Sequence, residues 1–150
     1  MPNRDVHFRT GAASGAVFAT CLAWGQPGPY VLAEAVGGIV GGIGGGLLPD
    51  VIDVPRSPRH RAEAHSLSIT GTVGRFVSEQ LPLWQASLRN RAEYYAQMRT
   101  ASSEFLPQIS YSFLELLFRC LAGALAGLLA GYASHLALDS LTPSCLPILF

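Results

Sequence analysis

Glycines repeat every fourth residue in two apolar stretches of the chain. The stretch GGIVGGIGGG at 37–46 contains seven glycines, and Gly123, Gly127 and Gly131 repeat the spacing near the other end of the sequence. Glycine destabilises a helix in water by about 1 kcal/mol per residue, so these stretches would make poor soluble helices. In a bilayer the same spacing lets two helix backbones approach closely. We therefore expect two helices that pack against each other or against copies of themselves.

The composition also points to a membrane. Charged residues make up 13% of the 150 residues and hydrophobic residues 49%, whereas soluble domains carry roughly 25% charged residues. Ten arginines balance ten acidic residues and lysine does not occur, so no net positive field would recruit nucleic acid. The length predicts one domain, residues 1–150. The three cysteines are widely spaced, lie beside apolar residues and are expected to be buried free thiols.

The hydropathy pattern divides the chain into five segments. We expect apolar helices over about 10–24, 30–48, 65–81 and 111–141, and a polar insertion over about 82–112 that contains an exposed helix. The segment 30–48 has 19 residues and one charge, which is about the length that a bilayer core requires. The predicted fold is all-α: a small helical membrane bundle of about four apolar helices plus one polar helix.

Alternating crossings of the four apolar segments would gather polar side chains at one end of the bundle. The starts of the first and third segments and the ends of the second and last then lie on one side, opposite the insertion 82–112. The candidate metal ligands at that end are His7, Asp50, Asp53, His65, His135 and Asp139. Taken alone, each of these residues can be explained by a structural role, as a turn residue, as a helix cap or as the partner in a hydrogen bond at a helix end. Their convergence favours a metal or active centre.

Charge at the helix ends indicates what this centre would bind. Asp50 and Asp139 follow long helices, where the negative end of the macrodipole disfavours a carboxylate by about 0.3–1 kcal/mol. A cation should compensate, either a nearby arginine or a metal ion. Imidazole with carboxylate suits a divalent transition metal, zinc first and manganese or iron as alternatives. His135 and Asp139 are spaced i, i+4 and can share an ion, or Asp139 can orient a ligating histidine.

Four blocks of sequence resemble a known family. They are HFRTGAASGA at 7–16, LLPDVID at 47–53, HRAEAHS at 60–66 and GYASHLALDSLTPSCLP at 131–147. Together they span nearly the whole chain and look like the inner-membrane-associated metal-dependent hydrolases, some of which carry a LexA-binding designation. The chain departs from the family pattern at Asp53, which is separated from Asp50 by two residues rather than one, and at Cys145, which replaces a glycine.

The resemblance implies a membrane-bound hydrolase that uses a metal-activated water. The six candidate ligands would hold the metal, Arg59 and Arg61 would neutralise a phosphate or another anion, and His60 could be a general acid. A site that opens at the lipid surface suits a lipid-linked or phosphoester substrate. The implied location is the bacterial inner membrane. The arginines at 4, 9, 56, 59 and 61 favour a cytoplasmic site, whereas those at 89, 91 and 99 on the other side oppose it, so both orientations stay open.

Other functions remain open at this point. The glycine ladders could build a homo-oligomer or pore without enzymatic activity. Intramembrane His and Asp residues also occur along ion pathways, although here they gather at one end, with Glu34 and Glu115 elsewhere in the apolar segments. A soluble partner-binding bundle is a further alternative, because the first and third segments are short and mixed.

Overall fold

The described part of the chain forms four helices, with short connections at 23–27 and 102–104. The computed structural model describes residues 4–52 and 67–141, and within them it contains helices and no strands. In chain order the helices are α1 Arg4–Leu22, α2 Gly28–Ile52, α3 Leu67–Ala101 and α4 Phe105–Ser140. The all-α prediction is therefore confirmed.

The prediction of four apolar helices plus a separate polar one is only partly right. The third apolar segment and most of the polar region form a single 35-residue helix, α3, and Pro82 lies inside it. A proline removes one backbone donor, but here the helix continues past it with the ring exposed. The rest of the polar region, from Phe105 onward, belongs to the first turns of α4. The five segments predicted from the sequence therefore correspond to four helices in the described part of the structure.

The glycine ladders pack α2 directly against α4. A Cβ atom added at Gly37, Gly41 or Gly45 would lie 1.9–2.0 Å from a backbone carbonyl oxygen of α4. The α4 glycines show the reverse relation, since a Cβ at Gly127 would lie 2.1 Å from the Gly38 carbonyl oxygen. Only glycine permits such contact between backbones. Of the two packings predicted for the ladders, the structure shows the one within a single chain.

The neighbouring face of α2 packs against α1 in the same way. A Cβ at Gly11 would lie 2.4 Å from the Gly42 carbonyl oxygen, and one at Gly15 would lie 2.2 Å from that of Gly38. Helices α1, α2 and α4 are in mutual contact, and α3 packs chiefly on α4. The ladder faces that were expected to carry a homo-oligomer are therefore covered by helices of the same chain, and the homo-oligomer stays a prediction.

The bundle has small and polar residues inside and large apolar residues outside. Apart from Leu81, the buried hydrophobic residues are all alanines, and the buried polar or charged residues are His7, Glu34, Gln85, Glu115, Arg119, His135 and Asp139. Large side chains such as Val17, Leu32, Val40 and Phe113 are instead exposed. This distribution is typical of helices that face lipid.

Two helices in the described part of the chain are long and apolar enough to cross a membrane. They cover Gly28–Val51 of α2 and Phe105–Ser140 of α4. The sequence predicted four crossing segments. Neither α1, with 19 residues, nor the longer but more polar α3, with 35, is among the two helices. At about 1.5 Å per residue, the 36 residues of α4 extend about 54 Å, well beyond the roughly 30 Å of a bilayer core.

Candidate metal centre

Three predicted ligands meet at one end of the bundle. His7 lies in the first turns of α1, and His135 and Asp139 lie in the last turns of α4, one helical turn apart. All three side chains are buried. The chain reverses direction between α1 and α2 and again between α3 and α4. The start of α1 and the ends of α2 and α4 therefore share one end, as the alternating topology predicted.

The donor atoms of these three residues form a compact group. His7 Nε2 lies 3.5 Å from Asp139 Oδ1, and His135 Nε2 lies 3.3 Å from Asp139 Oδ2. The two imidazole rings stack with centroids 4.0 Å apart. One donor atom from each residue can be chosen so that all lie within 4.8 Å of one another. Asp139 thus offers one oxygen towards each imidazole.

The hydrogen bond of Nδ1, the second ring nitrogen of His135, determines the tautomer of the neutral ring. Nδ1 lies 2.7 Å from the backbone carbonyl oxygen of Gly46 on α2. Because a carbonyl only accepts hydrogen bonds, Nδ1 must carry the hydrogen, and in the neutral ring Nε2 then holds a free electron pair. Hydrogen bonds of this kind orient metal-ligating histidines. The hydrogen bond to Gly46 therefore directs Nε2, the candidate ligand atom, towards Asp139.

The glycine ladder also lets α1 approach α2 closely beside the candidate centre. A Cβ atom at Gly46 would lie 2.8 Å from the His7 carbonyl oxygen and 3.3 Å from Gly11 Cα. A larger residue would hold α1 away from α2 and move His7 out of reach of Asp139. The packing signal in the sequence and the candidate ligands are thus parts of one arrangement.

Asp50 lies beside the three-residue group. It belongs to the last turn of α2, and its Oδ1 is 3.7 Å from His135 Nε2. Its side chain is 41% exposed, whereas that of Asp139 is 2% exposed. Asp50 is therefore placed at the edge of the centre that opens outward. The sequence analysis put Asp50 after the helix, but the helix continues through Pro49 to Ile52.

The donor set fits a divalent transition metal. Two ligands at about 2.0–2.2 Å from a tetrahedral ion are about 3.3–3.6 Å apart, because the angle between them is near tetrahedral. The two histidine–aspartate separations, 3.5 and 3.3 Å, are of this size, although they reach different oxygens of Asp139, and one donor atom from each residue lies within 4.8 Å of the others. Both are longer than the roughly 2.7–3.2 Å that is usual for a direct N–H···O hydrogen bond. Two imidazoles and a carboxylate match the preferences of zinc, manganese and iron.

The remaining predicted site residues lie outside the described part of the chain. They are Asp53, Arg59, His60, Arg61 and His65. Cys21 and Cys120 are free thiols, as predicted, but Cys21 is exposed and Cys120 is half-buried, so the prediction that they are buried is wrong. Cys145 lies outside the described residues. The structure thus brings together four of the nine predicted site residues: His7, Asp50, His135 and Asp139.

A second buried polar cluster occupies the opposite end of the bundle. Glu34 of α2 receives two hydrogen bonds from Arg89 of α3, at 2.9 and 2.6 Å, and lies 3.5 Å from Arg119 of α4. Glu115 accepts hydrogen bonds from Tyr30 and from Arg99. The Arg119 guanidinium also stacks over the Tyr30 ring, at 4.3 Å. Glu93 lies 3.6 Å from Arg119, so the cluster has three carboxylates and three guanidinium groups, and its charges balance without an ion.

The sequence analysis identified Glu34 and Glu115 as isolated acids and missed this cluster. An acid within an apolar helix is costly without a cation, and Arg119 follows Glu115 by one helical turn, which was an available signal. Nothing comparable marks Gly46, because its contribution to the centre is a backbone carbonyl oxygen.

Comparisons of the chain with family models, curated proteins and solved structures gave no match. The family suggested by the four sequence blocks therefore stays a prediction. The geometry described above is the basis for assigning a function.

Proposed function

We propose that this protein is a membrane-bound metal-dependent hydrolase whose centre is formed by His7, His135 and Asp139. The observation that carries the proposal is the hydrogen bond from His135 Nδ1 to the Gly46 carbonyl oxygen, 2.7 Å long. It directs Nε2 towards the buried carboxylate of Asp139, 3.3 Å away, and the ring stacks on the imidazole of His7. Any buried histidine needs such a hydrogen bond, and the feature that favours a ligand is the carboxylate and the second imidazole beside Nε2.

Each residue has a distinct role in this proposal. His7 and His135 supply neutral nitrogen ligands, and Asp139 supplies negative charge at a helix C-terminus where a cation is favoured. Asp50 lies at the exposed edge, where it can accept a proton from water or substrate. A bound zinc, manganese or iron ion would lower the pKa of a coordinated water and polarise the scissile bond.

The substrate class follows from where the centre lies. The ligands sit at one end of an apolar bundle, within reach of the membrane surface, and the adjoining sequence contains Arg59 and Arg61. We propose a phosphoester or lipid-linked substrate, since arginine is suited to phosphate and other anions. The proposed location is the bacterial inner membrane with the centre on the cytoplasmic face, consistent with arginines at 4, 9, 56, 59 and 61.

Metal content tests the centre directly. Detergent-purified protein should contain about one transition-metal ion per chain by elemental mass spectrometry, and His135→Ala and Asp139→Ala should lose it. Glu115→Gln is the matched control, because Glu115 is a buried acid of the same helix at the other end of the bundle. Circular dichroism should show that all variants remain helical.

Hydrolysis is then assayed on soluble and micellar phosphoesters with the metal-loaded protein. We expect turnover in the wild type and in Glu115→Gln, and loss of turnover in Asp139→Asn. Folded protein that takes up neither zinc nor manganese would refute the metal centre. Metal binding without turnover of any phosphoester or lipid-linked ester would instead refute the hydrolase assignment and keep the centre.

The packing between the two polar ends is evidence against a pore within one chain. At the middle of the bundle, a Cβ at Gly41 would lie 2.0 Å from the Ala124 carbonyl oxygen. Backbones in such contact leave no room for a file of water molecules between α2 and α4. An ion pathway joining Asp139 to Glu34 would have to cross this region.

A further inference from the structure

The outer face of α3 carries a groove that the proposed hydrolase does not use. Its volume is about 600 Å³, and its lining changes character along the helix. Leu83 and Ala86 line the end nearer the middle of the bundle, whereas Asn90, Arg91 and Tyr94 line the other end. The groove is thus apolar at one end and cationic and polar at the other.

Arg91 differs from the other arginines of α3. Arg75, Arg89 and Arg99 each form an ion pair with a glutamate, at 2.6–3.1 Å. Among residues 4–52 and 67–141, Arg91 forms no ion pair, and its guanidinium carbon lies 5.8 Å above the ring of Phe118. An aromatic face holds a guanidinium without neutralising it. Although the chain has no net charge, the groove therefore carries an uncompensated positive charge.

The groove lies at the level where the bundle would meet the membrane surface. Arg89 donates a hydrogen bond to the carbonyl oxygen of Leu22, the last residue of α1, at 3.1 Å. In the turn that follows, Trp24 is 82% exposed, and exposed tryptophan is typical of the membrane interface. From Leu83 to Tyr95 the helix rises about 18 Å, close to the roughly 15 Å thickness of half a bilayer core.

We propose that this groove binds one anionic phospholipid from the leaflet opposite the candidate metal centre. The phosphate lies at Arg91, with Asn90 and Tyr94 as further hydrogen-bond donors, and an acyl chain lies along Leu83 and Ala86. The polarity of the groove matches that of a phospholipid, and the single positive charge favours an anionic headgroup over a zwitterionic one. This proposal does not depend on the hydrolase assignment.

Trp84 provides a local probe of this site. It lies seven residues before Arg91, on the same helix face and about 10 Å nearer the membrane centre. Since the chain has two tryptophans, Trp24→Phe makes Trp84 the sole fluorophore. The protein is reconstituted in bilayers where either phosphatidylglycerol or phosphatidylcholine carries brominated acyl chains, and quenching of Trp84 gives their relative binding constant.

We expect phosphatidylglycerol to bind about fivefold more strongly than phosphatidylcholine. Arg91→Gln should bring this ratio close to one, and Arg91→Lys should retain most of it. Arg75→Gln is the matched control, because Arg75 is an exposed arginine of the same helix that pairs with Glu79, and it should leave the ratio unchanged.

Three results would overturn the proposal. A ratio near one in the otherwise unchanged protein would show no anionic preference, and an unchanged ratio in Arg91→Gln would place any preference elsewhere. Weak quenching by both lipids would mean that another protein surface, such as a second copy of the chain, covers the groove. Soluble glycerol phosphate is the control for a free anion. If it abolished the preference, the site would recognise the phosphate without the bilayer.

Discussion

Replacing one glycine of the ladder should disrupt the candidate centre without touching any ligand. A Cβ atom at Gly45 would lie 2.0 Å from the Leu128 carbonyl oxygen, whereas real Cβ atoms essentially never approach closer than 3.0 Å. In Gly45→Ala, α2 and α4 must therefore separate by about 1 Å (3.0 − 2.0) at this level. The bond from His135 to Gly46, now 2.7 Å, would lengthen to about 3.7 Å and be lost.

The expected loss of stability has two parts. Overpacking of this kind costs about 1–3 kcal/mol, and the lost hydrogen bond costs about 0.5–1.5 kcal/mol, which together give about 2–4 kcal/mol. Gly44→Ala is the control, because Gly44 is in the same helix and nothing lies within 4 Å of a Cβ added there. Both variants carry the same change in helix propensity, so their difference isolates the contact with α4.

The measurement is the free energy of unfolding in mixed micelles, followed by circular dichroism, together with metal occupancy. We expect Gly45→Ala to be less stable than Gly44→Ala by about 2–4 kcal/mol and to bind metal more weakly. Equal stability of the two variants would refute the claim that direct backbone contact holds α2 against α4. Equal metal affinity would refute the role of the Gly46 carbonyl oxygen.

Two further predictions concern acidic residues. Glu34→Ala should lower the free energy of unfolding by about 3–5 kcal/mol, because it removes the carboxylate that pairs with Arg89 and leaves the buried Arg119 with only the exposed Glu93. Glu79→Ala is the control, because Glu79 forms an exposed i, i+4 pair with Arg75, and its expected loss of stability is below about 0.5 kcal/mol. Similar losses in both variants would contradict the assignment of Glu34 to a buried cluster. Asp50→Asn should weaken metal binding about tenfold by equilibrium dialysis, as expected for a residue beside His135 rather than in the core of the centre. Complete loss, as in Asp139→Asn, would make Asp50 a ligand.

The two polar clusters lie at opposite ends of the bundle and differ in their composition. At one end, three buried ligand residues gather beside the partly exposed Asp50. At the other, Glu34 and Glu115 are each matched by arginines. Between them the helices touch through glycine and alanine. A buried ionic cluster with matched charges is suited to fixing the relative positions of helices, and α3 is linked to α2 through the Arg89–Glu34 pair.

The sequence was enough to predict which residues of the candidate centre lie together, because this depends only on the direction in which each segment runs. Knowing that apolar segments cross in alternating directions was enough to place His7, Asp50, His135 and Asp139 at one end. The helix boundaries were less accurate: α2 continues through Pro49 and α3 through Pro82, where the sequence indicated breaks. A proline removes one hydrogen bond from a helix, and whether the helix ends there depends on the packing around it.

The sequence by itself determined the helical class, the close approach of the glycine-bearing helices and the end of the bundle at which the ligands gather. These follow from periodicity and composition, which are properties of each segment alone. Only the tertiary structure decided that His135 faces the Gly46 carbonyl oxygen and that Glu34 pairs with Arg89, 55 residues away. The reason is that a ladder repeating every four residues permits several registers, each shifted by about one helical turn. The pairing of individual polar atoms depends on which register the whole bundle adopts.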